Sequence, residues 1–173
     1  HEFFTYDAEA GRLIWKHRPE SHFTSARIFK TWNKKWALKP AGNHAFDSRR
    51  GLRMRVYVWL SGKNYCAHRI IWEMFNSRIT DRMEIDHIDC DPWNNRLSNI
   101  RLATRSQNNS NKRLTAANKF GLKGVSAHRS RFRAEIRFAG TIHYLGLFDT
   151  PEAAHEAYVL AAIEHHGAFA RAK

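Results

Sequence analysis

Residues 84–91 read EIDHIDCD and place four carboxylates and one histidine within eight positions. An imidazole titrates in the range needed to take a proton from water near neutral pH, and carboxylate oxygens are hard ligands for a divalent cation. Asp86 directly precedes His87. Asn99 follows His87 by twelve residues, and Asn108 lies nine further on, with Asn111 three positions beyond it on the same face of a helix. A base, a carboxylate and an amide oxygen in this order can carry out metal-assisted hydrolysis, the base activating water while the cation neutralises charge on the group attacked. Mg²⁺, or Mn²⁺ in its place, suits such a set, because Mg²⁺ keeps one or two protein ligands and fills its shell with water and substrate oxygens. Each piece also has a plainer reading. A lone Asp-His pair is commonly a surface turn, Asp89, Asp91, Asn94 and Asn95 are turn formers, and Pro92 with no glycine in place spoils a calcium-loop pattern.

The charge of the whole chain indicates which bond such a site would attack. Twenty-nine Lys and Arg stand against sixteen Asp and Glu in 173 residues, a formal charge of +13. Cations that neutralise phosphates release condensed counterions and gain affinity without reading sequence, so nucleic acid is the first expected partner. The charge is segregated: residues 1–65 carry +8, residues 66–113 only +2, and residues 114–173 carry +3. Acid is thus tolerated in the middle, between two basic flanks. No apolar run reaches the ~20 residues of a membrane span, and no membrane partner is expected. Cys66 and Cys90 form no CxxC pair and no disulfide framework, and no secretory leader is read; both point to the cytoplasm.

The elements that carry these residues are short. FFTYDAEAGRLIWK predicts an N-terminal hairpin, and residues 22–51 lose periodicity and read as a long basic loop. RMRVYVWL (53–60) alternates strictly, and AHRIIWEMF (67–75) predicts a short helix turning Ile70, Ile71, Met74 and Phe75 to a core. EIDHI ends a strand, NIRLA (99–103) is a second, and Thr104 with Gln107 forms a capping box for a helix over 105–117. After a polar linker at 118–123, three strands precede a helix that Thr150 caps, Pro151 opens and Gly167 closes. In the middle strand Arg131, Arg133, Glu135 and Arg137 share one face, and Phe132, Ala134, Ile136 and Phe138 the other.

HRIIWEMF, IDHIDCDPWNNRLSNIRLAT and QNNSNK together resemble the HNH nuclease motif, in the His-Me finger (ββα-metal) form of phage and intron-encoded homing endonucleases, over about residues 66–113. The resemblance implies that His87 is the general base, that Asp86 and Asn108 hold one divalent ion per active site, and that Asn99 ties the loop and orients the histidine. Asn111 matches a second helix asparagine. The absence of zinc-binding cysteine pairs agrees with the zinc-free branch of that superfamily. GVSAHRSRFRAEIRF and YLGLFDTPEAAHEAYVLAAIEHHG resemble the APETALA2-type DNA-binding domain, which lays a three-stranded sheet in the major groove; Ser126 and His128 stand where plant members usually carry arginine.

An α+β chain of small modules is therefore expected: a basic β-rich DNA-contacting region at 1–65, the ββα-metal motif at 66–117, and a three-stranded antiparallel sheet on one helix at 118–173. The function implied is a site-selective DNA endonuclease of homing type that nicks one strand per site. Double-stranded DNA is the partner, with Arg53, Arg55, Arg129, Arg131, Arg133 and Arg137 as its contacts, and the protein acts as a monomer or a DNA-bound dimer. A DNA-binding regulator with a non-catalytic HNH scaffold is the rival from another class.

Overall fold

The computed structural model describes residues 2–49, 51–114 and 118–171. The fold is α+β, with several small antiparallel sheets and four α-helices among the described residues. Two compact units divide the chain: one comprises His1–Asp81 with His87–Leu102, the other Arg82–Asp86 with Ala103–Lys173. Of the expected boundary at 117/118, Ala117 lies outside the described residues and Asn118 within them. None of the described helices is long and apolar enough to cross a membrane.

In the first unit, β1 (Phe4–Asp7) and β2 (Arg12–Trp15) form the predicted hairpin. Asp7 Oδ1 accepts the Ala10 N–H at 3.0 Å and so closes the turn. The stretch expected as a basic loop instead contains α1 (Ala26–Trp36), β3 (Pro40–Ala41) and β4 (Asn43–Asp47). The physical reason lies in aromatic spacing masked by lysines. Ser25 caps α1 by accepting the Ile28 N–H, and the Trp32 ring meets Trp15 edge-on at 5.2 Å and Phe23 at 5.7 Å. Asn33 adds a two-bond clamp on the Arg18 backbone, at 3.0 and 2.9 Å. No residue of α1 is fully buried, so ring contacts and this clamp hold the helix.

β5 (Leu52–Leu60) runs between β4 and β6 (Lys63–Cys66). Its alternation turns Val56 and Val58 inward, 5% and 0% exposed, each burial worth about 1.5–3 kcal/mol. α2 (Ala67–Phe75) forms as predicted but rotated. Ala67, His68 and Ile71 are its buried residues, whereas Phe75 is 55% exposed. A histidine thus occupies a core position that apolar periodicity would assign to an aliphatic residue.

β7 (Met83–His87) and β8 (Ile100–Thr104) make a two-stranded sheet. α3 (Arg105–Asn111) follows at once, with both bonds of the capping box between Thr104 and Gln107 in place. It is shorter than expected. Lys112 is extended (φ −57°, ψ 144°), and the polar run before it has weak helix propensity; residues 115–117 lie outside the described ones.

In the second unit, β9 (Val125–His128), β10 (Arg131–Phe138) and β11 (Thr141–Phe148) form a sheet of order β11-β10-β9, followed by α4 (Pro151–His166). Ala134 and Ile136 point from β10 into two small clusters with Ala154 and with Ala161 and Ala162 of α4. Small helix residues permit this close approach. Gly124, at φ +74°, is required where the chain passes Tyr158, since a Cβ there would lie 2.1 Å from the ring.

Candidate active site

Burying a polar side chain is costly unless it is hydrogen-bonded. Among the described residues the buried polar side chains are His68, Asp86, Asn95, Asn99 and Asn111, all within the 44 positions 68–111. Asp86 and His87 are consecutive, and the boundary between the two units falls at their peptide bond. The polar groups on its two sides are organised differently.

On the Asp86 side, the carboxylate is 4% exposed and accepts Asn111 Nδ2 at both oxygens, at 3.0 and 3.1 Å. Glu84, two residues earlier on the same strand, accepts Asn108 Nδ2. Two strand carboxylates are therefore matched to two helix amides, one turn apart on α3. Sequence spacing brings both asparagines to one helix face, and the structure adds their partners: Asn111 meets Asp86, and Asn108 meets Glu84. Neither Glu84 nor the Asn111–Asp86 pair stood out in the sequence, although the i, i+2 strand spacing against the i, i+3 helix spacing is the signal that links them.

On the His87 side, the loop from Ile88 to Asn99 is closed upon itself. Ile88 N–H donates to the Asn99 carbonyl at 2.8 Å. The Asn99 side chain donates to Asp89 Oδ1 (2.9 Å) and to the Asn94 carbonyl (2.7 Å), and accepts the Asp89 N–H (3.1 Å). Asp89 also accepts the Asp91 N–H and the Asn94 amide, each at 2.7 Å. Burial alone would raise the Asp89 carboxyl, but the Asp91 N–H, the Asn94 and Asn99 amides and the nearby His87 charge outweigh it and hold it below the usual range. Asp89 is thus the hub of the loop.

The His87 ring is contacted by Asn95, whose Oδ1 lies 2.8 Å from Nε2. An amide oxygen only accepts, so the imidazole donates from Nε2 and its basic lone pair resides on Nδ1. Asn95 is a second residue that read as a turn former. It is 3% exposed, and its backbone is anchored to the N-terminal hairpin, the Tyr6 hydroxyl donating to its carbonyl and accepting the Leu97 N–H. His68 of α2 packs edge-on to His87, ring centroids 5.2 Å apart. Its Nδ1 is buried without a hydrogen-bond partner. Burial first, then the charges of His87, Arg55 and Arg69, push the His68 imidazole down to about 3, so it is neutral at pH 7.

The donor chemistry around Asp86 suits a hard divalent ion. Among the described residues no group of three His, Cys, Asp or Glu side chains could hold a metal.

Of the arginines expected to contact DNA, Arg53 lies on β5 and Arg55 is exposed on the same strand. Arg129 is exposed at the turn after β9, in the left-handed region at φ +55°. Arg131, Arg133 and Arg137 lie on the β10 face opposite α4. Arg131 pairs with Asp149 at 2.9 Å, Arg133 with Glu135, and Arg137 donates to the Gly140 carbonyl at 3.3 Å. The Arg133 guanidinium also lies 5.6 Å from the Tyr144 ring centre. His128, Arg133, Tyr144 and Leu147 line a cavity of about 300 Å³ on this face.

A family model described as HNH endonuclease matches residues 65–110. An uncharacterised HNH endonuclease of Acanthamoeba polyphaga mimivirus is 36% identical over 125 residues, 66% of this chain and 65% of the relative, so the chain spans just under two thirds of that protein's length. Protein 3.8 of Escherichia phage T7 is 36% identical over 106 residues, 60% of this chain and 87% of the relative.

Proposed function

Because residues 65–110 match a family model described as HNH endonuclease, we propose that the chain is a divalent-metal-dependent DNA endonuclease of homing type that hydrolyses one phosphodiester bond per active site and so nicks one strand. The observation that carries this reading is the concentration of buried, hydrogen-bonded polar groups around Asp86 and His87. Burying polar groups opposes stability unless they are hydrogen-bonded, and such clusters gather at functional sites.

In this reading Asp86 and Asn108 hold the ion. Asn108 donates its amide nitrogen to Glu84, which leaves its oxygen as the ligating end, and Asn111 fixes the Asp86 carboxylate. A cation held there would supply charge neutralisation at the phosphate and the departing 3′ oxygen. His87 takes the proton of the attacking water at Nδ1, because Asn95 holds the Nε2–H tautomer. Asn99 acts one step back: it holds the loop that carries Asn95. The β10 face with Arg131, Arg133 and Arg137, together with Arg129, Arg53 and Arg55, supplies phosphate and base contacts in the manner of an APETALA2-type sheet.

Supercoiled plasmid incubated with Mg²⁺ and with EDTA tests the proposal. Conversion to open circles in Mg²⁺ alone, with binding in both, is the expected result. Metal-independent binding with no strand cut in either condition would instead identify a DNA-binding regulator.

A further inference from the structure

Four of the six tryptophans of the chain line a single cavity in the first unit. Trp15, Trp32, Trp36 and Trp59, with Pro40, Gly42 and Asn43, enclose about 220 Å³. Trp15 is 8% exposed and serves the core, braced edge-on by Trp32. Trp36 and Trp59 do not serve it, being 41% and 62% exposed. Two indoles held half out of a concave wall leave apolar faces in water that folding alone would bury. Gly42, at φ +102°, keeps the wall tight, since a Cβ there would come within 3.0 Å of the Tyr57 carbonyl oxygen and a Val56 methyl.

Aromatic cages of this kind take either a cation or a planar ring. Charge decides between them. Residues 21–46 contain no Asp or Glu and five basic residues, Arg27, Lys30, Lys34, Lys35 and Lys39. The Lys35 ammonium already lies 4.9 Å from the Trp36 ring centre. A quaternary ammonium guest would meet like charge, whereas a planar ring tethered to phosphate meets complementary charge. The volume is below the roughly 300–1,000 Å³ of ordinary ligand pockets and suits one ring system. Asn43 supplies an amide with both donor and acceptor capacity for a base edge.

We propose that this pocket binds one unstacked nucleobase of the nucleic-acid partner, with the flanking Lys34, Lys35 and Lys39 on its sugar-phosphate chain. The inference rests on the reading of the protein as nucleic-acid-binding, and it adds that the bound strand is locally unpaired. A mononucleotide offers the same ring and phosphate, so the strand and the monomer are distinguished by experiment.

Binding of the full chain to a short fluorescent single strand is measured in EDTA, so that cleavage plays no part, beside an abasic strand of equal length and a mononucleotide. Wild type should bind the base-bearing strand roughly tenfold or more tighter than the abasic one, the range expected for one stacked base. Trp36→Ala and Trp59→Ala, both at exposed positions and checked for folding by circular dichroism, should each remove most of that difference and leave abasic binding unchanged. Because binding is read in EDTA, failure of the nuclease reading does not move this result. Equal affinity for base-bearing and abasic strands in wild type, or tryptophan variants that keep the full difference, would overturn the proposal. So would a mononucleotide that binds as tightly as the strand.

Discussion

The two sides of the Asp86–His87 peptide bond solve the same problem by opposite means. Asp86 is held by an amide twenty-five residues away on α3, and neighbouring Glu84 by one twenty-four residues away. His87 is held by Asn95, eight residues away, inside a loop whose other internal bonds span two to eleven residues. The carboxylate side therefore depends on where a helix is seated. The histidine side depends on a loop closed by its own bonds and anchored to the N-terminal hairpin through Tyr6. The contrast suits the proposed roles: a cation holder needs oxygens from two rigid elements, while a base needs one fixed tautomer and a defined ring orientation.

Substitutions can break this contrast from each end. The largest effect is expected for Asp86→Asn, which keeps the shape and removes the charge: Mn²⁺ binding by calorimetry should be lost and cleavage should fall roughly a thousandfold, the few kcal/mol that a metal contributes to developing charge. On the other side, Asn95→Ala should lower the cleavage rate by about a hundredfold, the cost of a misaligned base, with Mn²⁺ affinity unchanged. Equal loss of metal binding in both variants would show that the two sides are not separate in function.

Stability should divide along the same line. Asn99→Ala removes three side-chain hydrogen bonds and leaves Asp89 and Asn94 groups unsatisfied, and should cost about 2–4 kcal/mol in denaturant titrations. A second, pH-dependent effect is expected from His68. Its folded pKa, near 3, is below the ordinary value of 6.5, so the unfolded chain binds the proton first as pH falls. Its contribution is therefore fully present above about pH 6.5 and is lost downward toward pH 3, by about 1.4 kcal/mol per pH step inside that window. His68→Gln should flatten this part of the stability–pH curve; an unchanged slope would show that His68 is not its source.

What was legible in the sequence follows the range of the forces involved. The alternation of β5 and β10, the Thr104–Gln107 capping box and the Thr150 and Gly167 ends of α4 are local signals, and each of these elements formed as expected. α1 was missed because its holding contacts are to Trp15, Phe23 and Arg18, outside the helix, while its own lysines blur the periodicity. Within the candidate site, residue types and spacing singled out Asp86, His87, Asn99 and Asn108. They could not tell which amide meets which carboxylate, because that is set by the seating of α3 on a strand. Asn95 and Asp89 read as turn formers, which they are by position; their partners emerge only when the loop closes.

The central claim is that His87 is the base that activates water, acting beside the metal-holding Asp86. The most direct measurement is plasmid cleavage in Mg²⁺ by His87→Ala against wild type, with DNA binding read in parallel. A fall of roughly 10²–10⁴-fold in cutting with binding retained is the predicted result. Undiminished cutting by the variant would contradict it.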